Sequence, residues 1–227
     1  MRLAGGTLLG QIRTAPLTST WLAALFVTTA IARSLSSAEL NEWLLGRSTN
    51  IDNLHDHPLR VIFSSILWID GGWWLPYAVF FVAVVAPVER WLGTVRFFVV
   101  GFSAHVLATY ISQGALRHAI ELGIRSPSLV NVRDVGVSYF LAAILGVLTY
   151  HIARPWRWAH LVAILALVTI PLIEKVTFTG IGHATALLIG LSWYPITRGR
   201  PARQWDPSRV KLRHWDPRRF FARGKPV

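Results

Sequence analysis

The sequence predicts an all-α, polytopic membrane protein whose core is a bundle of six transmembrane helices. Of its 227 residues, 53% are hydrophobic and only 15% are charged, whereas soluble domains carry about 25% charged residues. Six apolar segments of helix length leave too little polar surface to coat a soluble globule. These segments are residues 17–32, 73–88, 97–115, 135–152, 158–173 and 181–196.

The first segment and several others are short compared with the roughly 17–25 residues of a spanning helix. Flanking Arg and Trp side chains extend such helices by reaching to the interface. The first segment also resembles a secretory signal peptide, since Arg2 and Arg13 precede it and Ala30-Ile31-Ala32 resembles a cleavage site. We expect it to be retained, because cleavage would leave five spans and move one terminus across the membrane.

The segment between the first two predicted helices, residues 34–72, is too polar to span a membrane. Within it, Ile62, Ile66 and Ile69 recur at helical spacing, which predicts an amphipathic helix lying in the outer interface. His55 and His57 also lie in this segment, and we expect them to belong to a solvated turn. The sequence therefore predicts neither a metal site nor a cofactor, and the absence of cysteine excludes thiolate ligands and disulfides.

Charge distribution predicts that both termini lie in the cytoplasm. The last thirty residues hold ten basic and two acidic side chains, whereas the predicted outer loops hold seven basic and eight acidic ones. The predicted units are a cytoplasmic segment (1–16), a six-helix membrane domain (17–197) and a basic cytoplasmic tail (198–227). Arginine outnumbers lysine by 20 to 3, which is typical of a GC-rich bacterial genome and predicts a bacterial plasma membrane.

The basic tail contains a near repeat. Residues 203–209, with Trp205-Asp206-Pro207 at their centre, recur ten positions later as residues 213–219, with Trp215-Asp216-Pro217. Basic residues near a membrane surface bind anionic lipid head groups, and we predict that function for the tail. A protein-binding motif is the alternative. Because the positive charge is concentrated in a tail, the sequence does not predict nucleic-acid binding.

The most informative residues are Ser138 in Gly136-Val137-Ser138 and His183, which follows Gly182. Each opens an apolar segment that enters the membrane from the outer side in the predicted topology. At 1.5 Å per residue, both side chains would lie about 5 Å below the start of their helix. Polar side chains inside a membrane are costly and usually functional, and Ser with His is a minimal nucleophile and base.

Small residues recur on the same two segments. Ala142 and Gly146 follow Ser138, and Ala186 and Gly190 follow His183 at the small-xxx-small spacing that allows membrane helices to approach closely. A Ser–His hydrogen bond requires such an approach. The alternative is that these residues serve helix packing alone.

The chain resembles the rhomboid family of intramembrane serine proteases over residues 17–197. The resemblance rests on Gly136-Val137-Ser138-Tyr139 at the fourth helix, on residues 183–190 at the sixth, and on Leu59-Arg60 and residues 87–93, which end the second helix. It implies a six-helix core in which Ser138 is the nucleophile and His183 the base. It also implies that the substrate is another membrane helix, cleaved near the outer face.

Four positions depart from the family pattern. Trp73 and Tyr77 stand where the family has the His and Asn that help to hold the oxyanion, Tyr139 replaces a glycine, and Ala142 replaces an aromatic residue that packs on the catalytic His. We expect Tyr77 and Trp73 to serve as substitute oxyanion donors. Removal of one such donor costs about 10²–10³ in rate, so these departures favour weakened activity.

Two functions remain open from the sequence. One is an intramembrane serine protease with a Ser138–His183 dyad. The other is a catalytically silent rhomboid-like protein, a pseudoprotease, that binds membrane helices as clients. Retention of both Ser138 and His183 favours the first, and the aromatic residues at 73, 77 and 139 favour the second.

Overall fold

A computed structural model describes residues 10, 13–71, 73–201, 205–206 and 208. The described residues are mainly helical, and their only bridge of β type joins Ile152 to Trp205. We number the helices α1 (Pro16–Ser34), α2 (Ser37–Leu45), α3 (Ile51–Asp56), α4 (Pro58–Ser65), α5 (Trp74–Leu92), α6 (Thr94–Glu121), α7 (Ser138–Leu148), α8 (Trp156–Glu174) and α9 (Phe178–Ser192). The predicted all-α class is confirmed.

Each of the six predicted apolar segments overlaps one of these helices. Three of them, α5, α6 and α8, are long and apolar enough to cross a membrane, and the apolar helices at Ser138–His151 and Phe178–Ser192 are shorter. Helix α6, which corresponds to the third predicted segment, extends to Glu121, beyond the predicted end at residue 115. In this last part, Arg117 pairs with Glu121 at 2.8 Å on the exposed face, and such a pair four residues apart stabilises a helix slightly.

The core of the fold is α7, which packs against α6 and α9. Phe140, Ala143, Ile144 and Val147 are almost completely buried there. Glycines allow the close approach: a Cβ at Gly101 would overlap the ring of Phe140, and a Cβ at Gly190 would overlap the backbone of Ala143. Small residues therefore bring the helices into backbone contact, as membrane helix packing requires.

Glu89 fastens α1 to this core. Its carboxylate accepts hydrogen bonds from the backbone N–H groups of Leu17 at 3.0 Å and Thr18 at 2.7 Å, and from the Thr94 hydroxyl at 2.8 Å. The N-terminus of a helix favours a negative charge, so the fully buried Glu89 caps the first turn of α1. The acidic residue within 87–93 thus has a structural role.

The predicted amphipathic helix of the outer segment is α4, which ends at Ser65. Val61 and Ile62 are buried, and Phe63 stacks on Phe102 of α6 at 5.0 Å between ring centroids. The helix is shorter than the Ile62–Ile66–Ile69 spacing predicts, because Ile66 is its C-cap and Ile69 lies beyond it.

The first Trp-Asp-Pro copy of the tail touches the end of the segment that contains α7. The Trp205 N–H donates to the His151 carbonyl at 2.8 Å, and the Ala153 N–H donates to the Trp205 carbonyl at 2.9 Å. The second copy, at 213–219, lies outside the described residues. The predicted lipid binding of the tail stays a prediction.

Candidate active site

Ser138 and His183 line the same cavity, which has a volume of about 580 Å³. Its walls come from α5, α7, α8, α9 and the segment that leads into α9, and most of its lining is apolar. Ser138 is the first residue of α7, and His183 lies in the second turn of α9. Both side chains are partly buried, so the cavity gives them access to a ligand.

The contact between α7 and α9 fixes the relative position of these two residues. A Cβ added at Gly146 would lie 2.8 Å from the Leu187 carbonyl oxygen, and Gly190 lies against the backbone of Ala143. Ala186 is completely buried. Gly146 and Gly190, two of the small residues that the sequence singled out, therefore lie at this contact.

Gly136 shapes the turn that delivers Ser138 to the cavity. Its φ angle is +135°, a conformation that residues with a Cβ rarely adopt. Its N–H donates to the Ser65 carbonyl at 3.0 Å, which ties the turn to the end of α4. The turn ends as α7 begins at Ser138, so this backbone conformation sets where the hydroxyl lies.

Tyr139 packs on the imidazole of His183. The two rings meet edge to face, with centroids 5.2 Å apart and an interplanar angle of 77°. Tyr139 is only 4% exposed and lies over Gly182, where a Cβ would overlap its ring. It lies behind the imidazole and does not line the cavity, whereas Ala142 does line it.

No hydrogen bond joins the Ser138 hydroxyl to the His183 ring among the described residues. Catalytic hydrogen bonds are often long without substrate and shorten when it binds. The arrangement can support nucleophilic chemistry if the two groups approach to about 2.6–3.2 Å.

The family model for rhomboid-like proteins matches residues 10–203. The chain belongs to the rhomboid-like family. No match was found among curated proteins or among solved structures. The family and the apolar helices together make this a rhomboid-type membrane protein.

The two expected oxyanion donors of this rhomboid-like protein lie apart. Tyr77 lines the cavity with Ser138 and His183. Trp73 is 67% exposed and lines a different cavity together with Arg33, whose guanidinium carbon lies 5.6 Å from the indole centroid. Trp73 precedes the first turn of α5 and has an extended backbone, which directs it away from Tyr77.

Sequence reasoning missed the contribution of α8 and of the α9 N-cap to the cavity. Leu167, Val168 and Pro171 line it from α8, and Thr177 lines it from the turn before α9. The Thr177 hydroxyl accepts a hydrogen bond from the Gly180 N–H at 3.0 Å. A threonine three residues before a glycine at a helix start is the available signal for that cap. No group of three or more potential metal ligands occurs in the described part of the chain.

Proposed function

We propose that this rhomboid-like protein is an intramembrane serine protease that cleaves transmembrane helices near the outer face of the membrane. The observation that supports it best is the shared cavity: Ser138, His183 and Tyr77 line one mainly apolar space between α5 and α8. Tyr139, the large residue next to the serine, lies behind the imidazole and leaves that space open.

In this mechanism His183 removes the proton from the Ser138 hydroxyl as the oxygen attacks the scissile carbonyl. The resulting oxyanion would accept hydrogen bonds from the Tyr77 hydroxyl and from backbone N–H groups in the first turn of α7, which lack intrahelical acceptors. His183 then gives its proton to the leaving amine. Water attacks the acyl-enzyme and loses a proton to His183, which returns it to the Ser138 oxygen as the ester bond breaks and the second product leaves with a carboxyl terminus.

We further propose six spans, formed by α1 and α5 to α9, with both termini in the cytoplasm of a bacterial cell and the bundle in its plasma membrane. The substrate helix would approach between α5 and α8, which face each other across the cavity. The basic tail would bind anionic lipid head groups at the inner surface.

Labelling by a fluorophosphonate probe in native-like membranes tests this function. We expect wild type to be labelled and Ser138→Ala and His183→Ala to lose labelling. Ser192→Ala is the matched control, because Ser192 is exposed on α9 and its hydroxyl donates only to the Ile189 carbonyl of its own helix. Folded wild type that remains unlabelled would overturn the protease proposal.

A helix-binding protein without catalysis is the second candidate. The missing Ser138–His183 hydrogen bond and the position of Trp73 outside the cavity favour it. It requires Ser138→Ala to hold a client helix as well as wild type does, with no cleaved product in either case. Photo-crosslinking from position 167 on α8, followed by mass analysis of the crosslinked helix, separates the two candidates.

A further inference from the structure

Asp134 anchors the segment that leads into Ser138 through several hydrogen bonds of its backbone and its side chain. The Asp134 N–H donates to the Ser48 hydroxyl at 3.1 Å, and its carbonyl accepts from the Thr49 N–H at 2.9 Å and the Thr49 hydroxyl at 3.1 Å. Its carboxylate oxygen Oδ2 accepts from the Gln113 amide at 2.9 Å and from the Thr49 hydroxyl at 3.2 Å. Asp134 thus joins the segment to α6 and to the loop before α3.

The side chain of Gln113 has one buried atom that these bonds leave without a partner. Gln113 is 3% exposed, and its Oε1 has no hydrogen-bond partner among the described residues. A buried acceptor in this state costs about 1–3 kcal/mol. An ionised carboxylate cannot satisfy it, because it only accepts hydrogen bonds, whereas a protonated carboxyl carries one O–H donor.

The surroundings of Asp134 favour that proton. Burial raises the pKa of the Asp134 carboxyl from 3.8 to about 6, although the hydrogen bonds from Gln113 and Thr49 act in the opposite direction. A neutral Asp134 can accept from the Gln113 amide and donate to its Oε1, which forms a two-bond acid–amide pair.

The nearby basic residues form ion pairs with carboxylates other than Asp134. Tyr139 is the titratable residue that faces Asp134 from α7. The neighbouring Arg133 pairs with Asp70 at 3.1 Å, and Arg117 of α6 pairs with Glu121 at 2.8 Å. The loop residues that contact Asp134, Ser48 and Thr49, carry no titratable group. No cation is therefore paired with the Asp134 carboxylate among the described residues.

We infer that Asp134 is a positioning residue for Ser138, and that its acid–amide pair with Gln113 holds the segment in the arrangement that presents the Ser138 hydroxyl to the cavity. The catalytic part of this inference rests on the proposed protease function. Among the described residues, Asp134 makes no hydrogen bond to Ser138 or His183, so it acts through the backbone of residues 134–137.

The rate of fluorophosphonate labelling between pH 5 and 8 tests the inference. Asparagine at position 134 can form the two-bond pair with Gln113 at every pH, whereas wild type loses one of the two bonds when Asp134 ionises. The labelling rate of Asp134→Asn divided by that of wild type should therefore rise with pH, with a midpoint near pH 6. The expected rise is about three- to tenfold, which corresponds to the loss of one hydrogen bond. The ratio removes the contribution of His183, which both proteins share. Asp134→Leu should be slowed about 10- to 100-fold at every pH, as expected for a misplaced nucleophile.

Asp70→Asn is the matched control, because Asp70 is the other carboxylate attached to this segment but lies in an exposed ion pair. Its ratio to wild type should not change with pH. A pH-independent ratio for Asp134→Asn, or Asp134→Leu labelled at the wild-type rate, would overturn the positioning inference.

A second measurement does not require catalysis. The sequence contains no cysteine, so Ser138→Cys provides a unique thiol whose reaction rate with a water-soluble maleimide reports its position. In the Ser138→Cys background, the maleimide reaction rate with Asp134→Asn divided by the rate without it should again change with pH, with a midpoint near pH 6. A changing thiol ratio without any fluorophosphonate labelling would retain the inference and refute the protease. If wild type is labelled and the ratio does not change with pH in either assay, the protease proposal is retained and the positioning inference is refuted.

Discussion

The helices α9 and α8 are packed in different ways. Gly190 of α9 lies against the backbone of Ala143, and Gly146 of α7 lies against the Leu187 carbonyl, so α7 and α9 meet backbone to backbone. By contrast, α8 buries Ile164 alone of its nineteen residues, and a cavity of about 580 Å³ separates it from α5. The two candidate catalytic residues lie on the tightly packed helices and face the open side.

This difference shows how one fold can combine fixed geometry with access. Dispersion contacts at the α7–α9 interface hold Ser138 and His183 in register, because a close-packed contact has few alternative arrangements. A helix with one buried residue, such as α8, can shift at little cost. Substitutions at the α7–α9 contact and on α8 test this difference.

Gly190→Val should have the largest effect on probe labelling. Its side chain would overlap the Ala143 backbone, which cannot move aside as a flexible side chain can, so α7 and α9 must separate. We expect a loss of about 3 kcal/mol in unfolding free energy, the upper end of the usual cost of overpacking, and complete loss of probe labelling, measured by thermal unfolding in detergent and by the fluorophosphonate assay. Gly114→Ala is the control: nothing lies within 4 Å of its Cβ, and alanine should stabilise the helix by about 0.5–1 kcal/mol. Equal stability of the two variants would refute the tight interface.

The pH dependence of stability should show the next effect, up to about 3 kcal/mol. Because the folded-state pKa of Asp134 is raised from 3.8 to about 6, its contribution to stability is present below pH 4 and is lost as the pH rises to 6. Wild type should therefore unfold at progressively lower temperature across this window, and Asp134→Asn should lose that part of the slope. Parallel curves for the two proteins would contradict a protonated Asp134.

Gly136→Ala should cost less stability, about 1–2 kcal/mol, because alanine disfavours its φ angle of +135°. The turn would relax and move Ser138, so labelling should fall more than stability does. Gly71→Ala is a matched control, since Gly71 has a φ angle of +93° and no neighbour within 4 Å of its Cβ. It should show similar strain with unchanged labelling. If both variants label alike, the Gly136 turn does not position Ser138.

The sequence predicts the fold class and the shared location of Ser138 and His183 because these depend on local signals. Apolar runs of helix length define the helices, and small residues at spacings of four mark the α7–α9 contact. The family resemblance adds their order, and the match over residues 10–203 supports it. The number of membrane spans and the function of the site stay proposals.

The remaining features depend on contacts that a sequence does not display. Trp73 and Tyr77 are four residues apart and would share a helix face, but α5 begins after Trp73, whose φ and ψ angles of −105° and 100° direct it elsewhere. Tyr139 packs on His183 only because Gly182 leaves room for its ring. The Asp134–Gln113 contact joins residues that are 21 positions apart through the packing of a loop on α6.

Leu167→Ala and Leu187→Ala compare the two sides directly with the same substitution. Both leucines line the cavity, but Leu187 of α9 is 2% exposed and Leu167 of α8 is 66% exposed. Truncation of a buried leucine costs about 2–5 kcal/mol, whereas truncation of an exposed leucine should change stability by no more than about 0.5 kcal/mol.

Leu167→Ala should instead widen the space between α5 and α8 through which a ligand approaches, and so change the rate at which bulky probes label Ser138. Thermal unfolding and labelling with a short and a long fluorophosphonate measure both effects. A large loss of stability in Leu167→Ala would mean that α8 is held as firmly as α9, and the cavity would then be a closed part of the core.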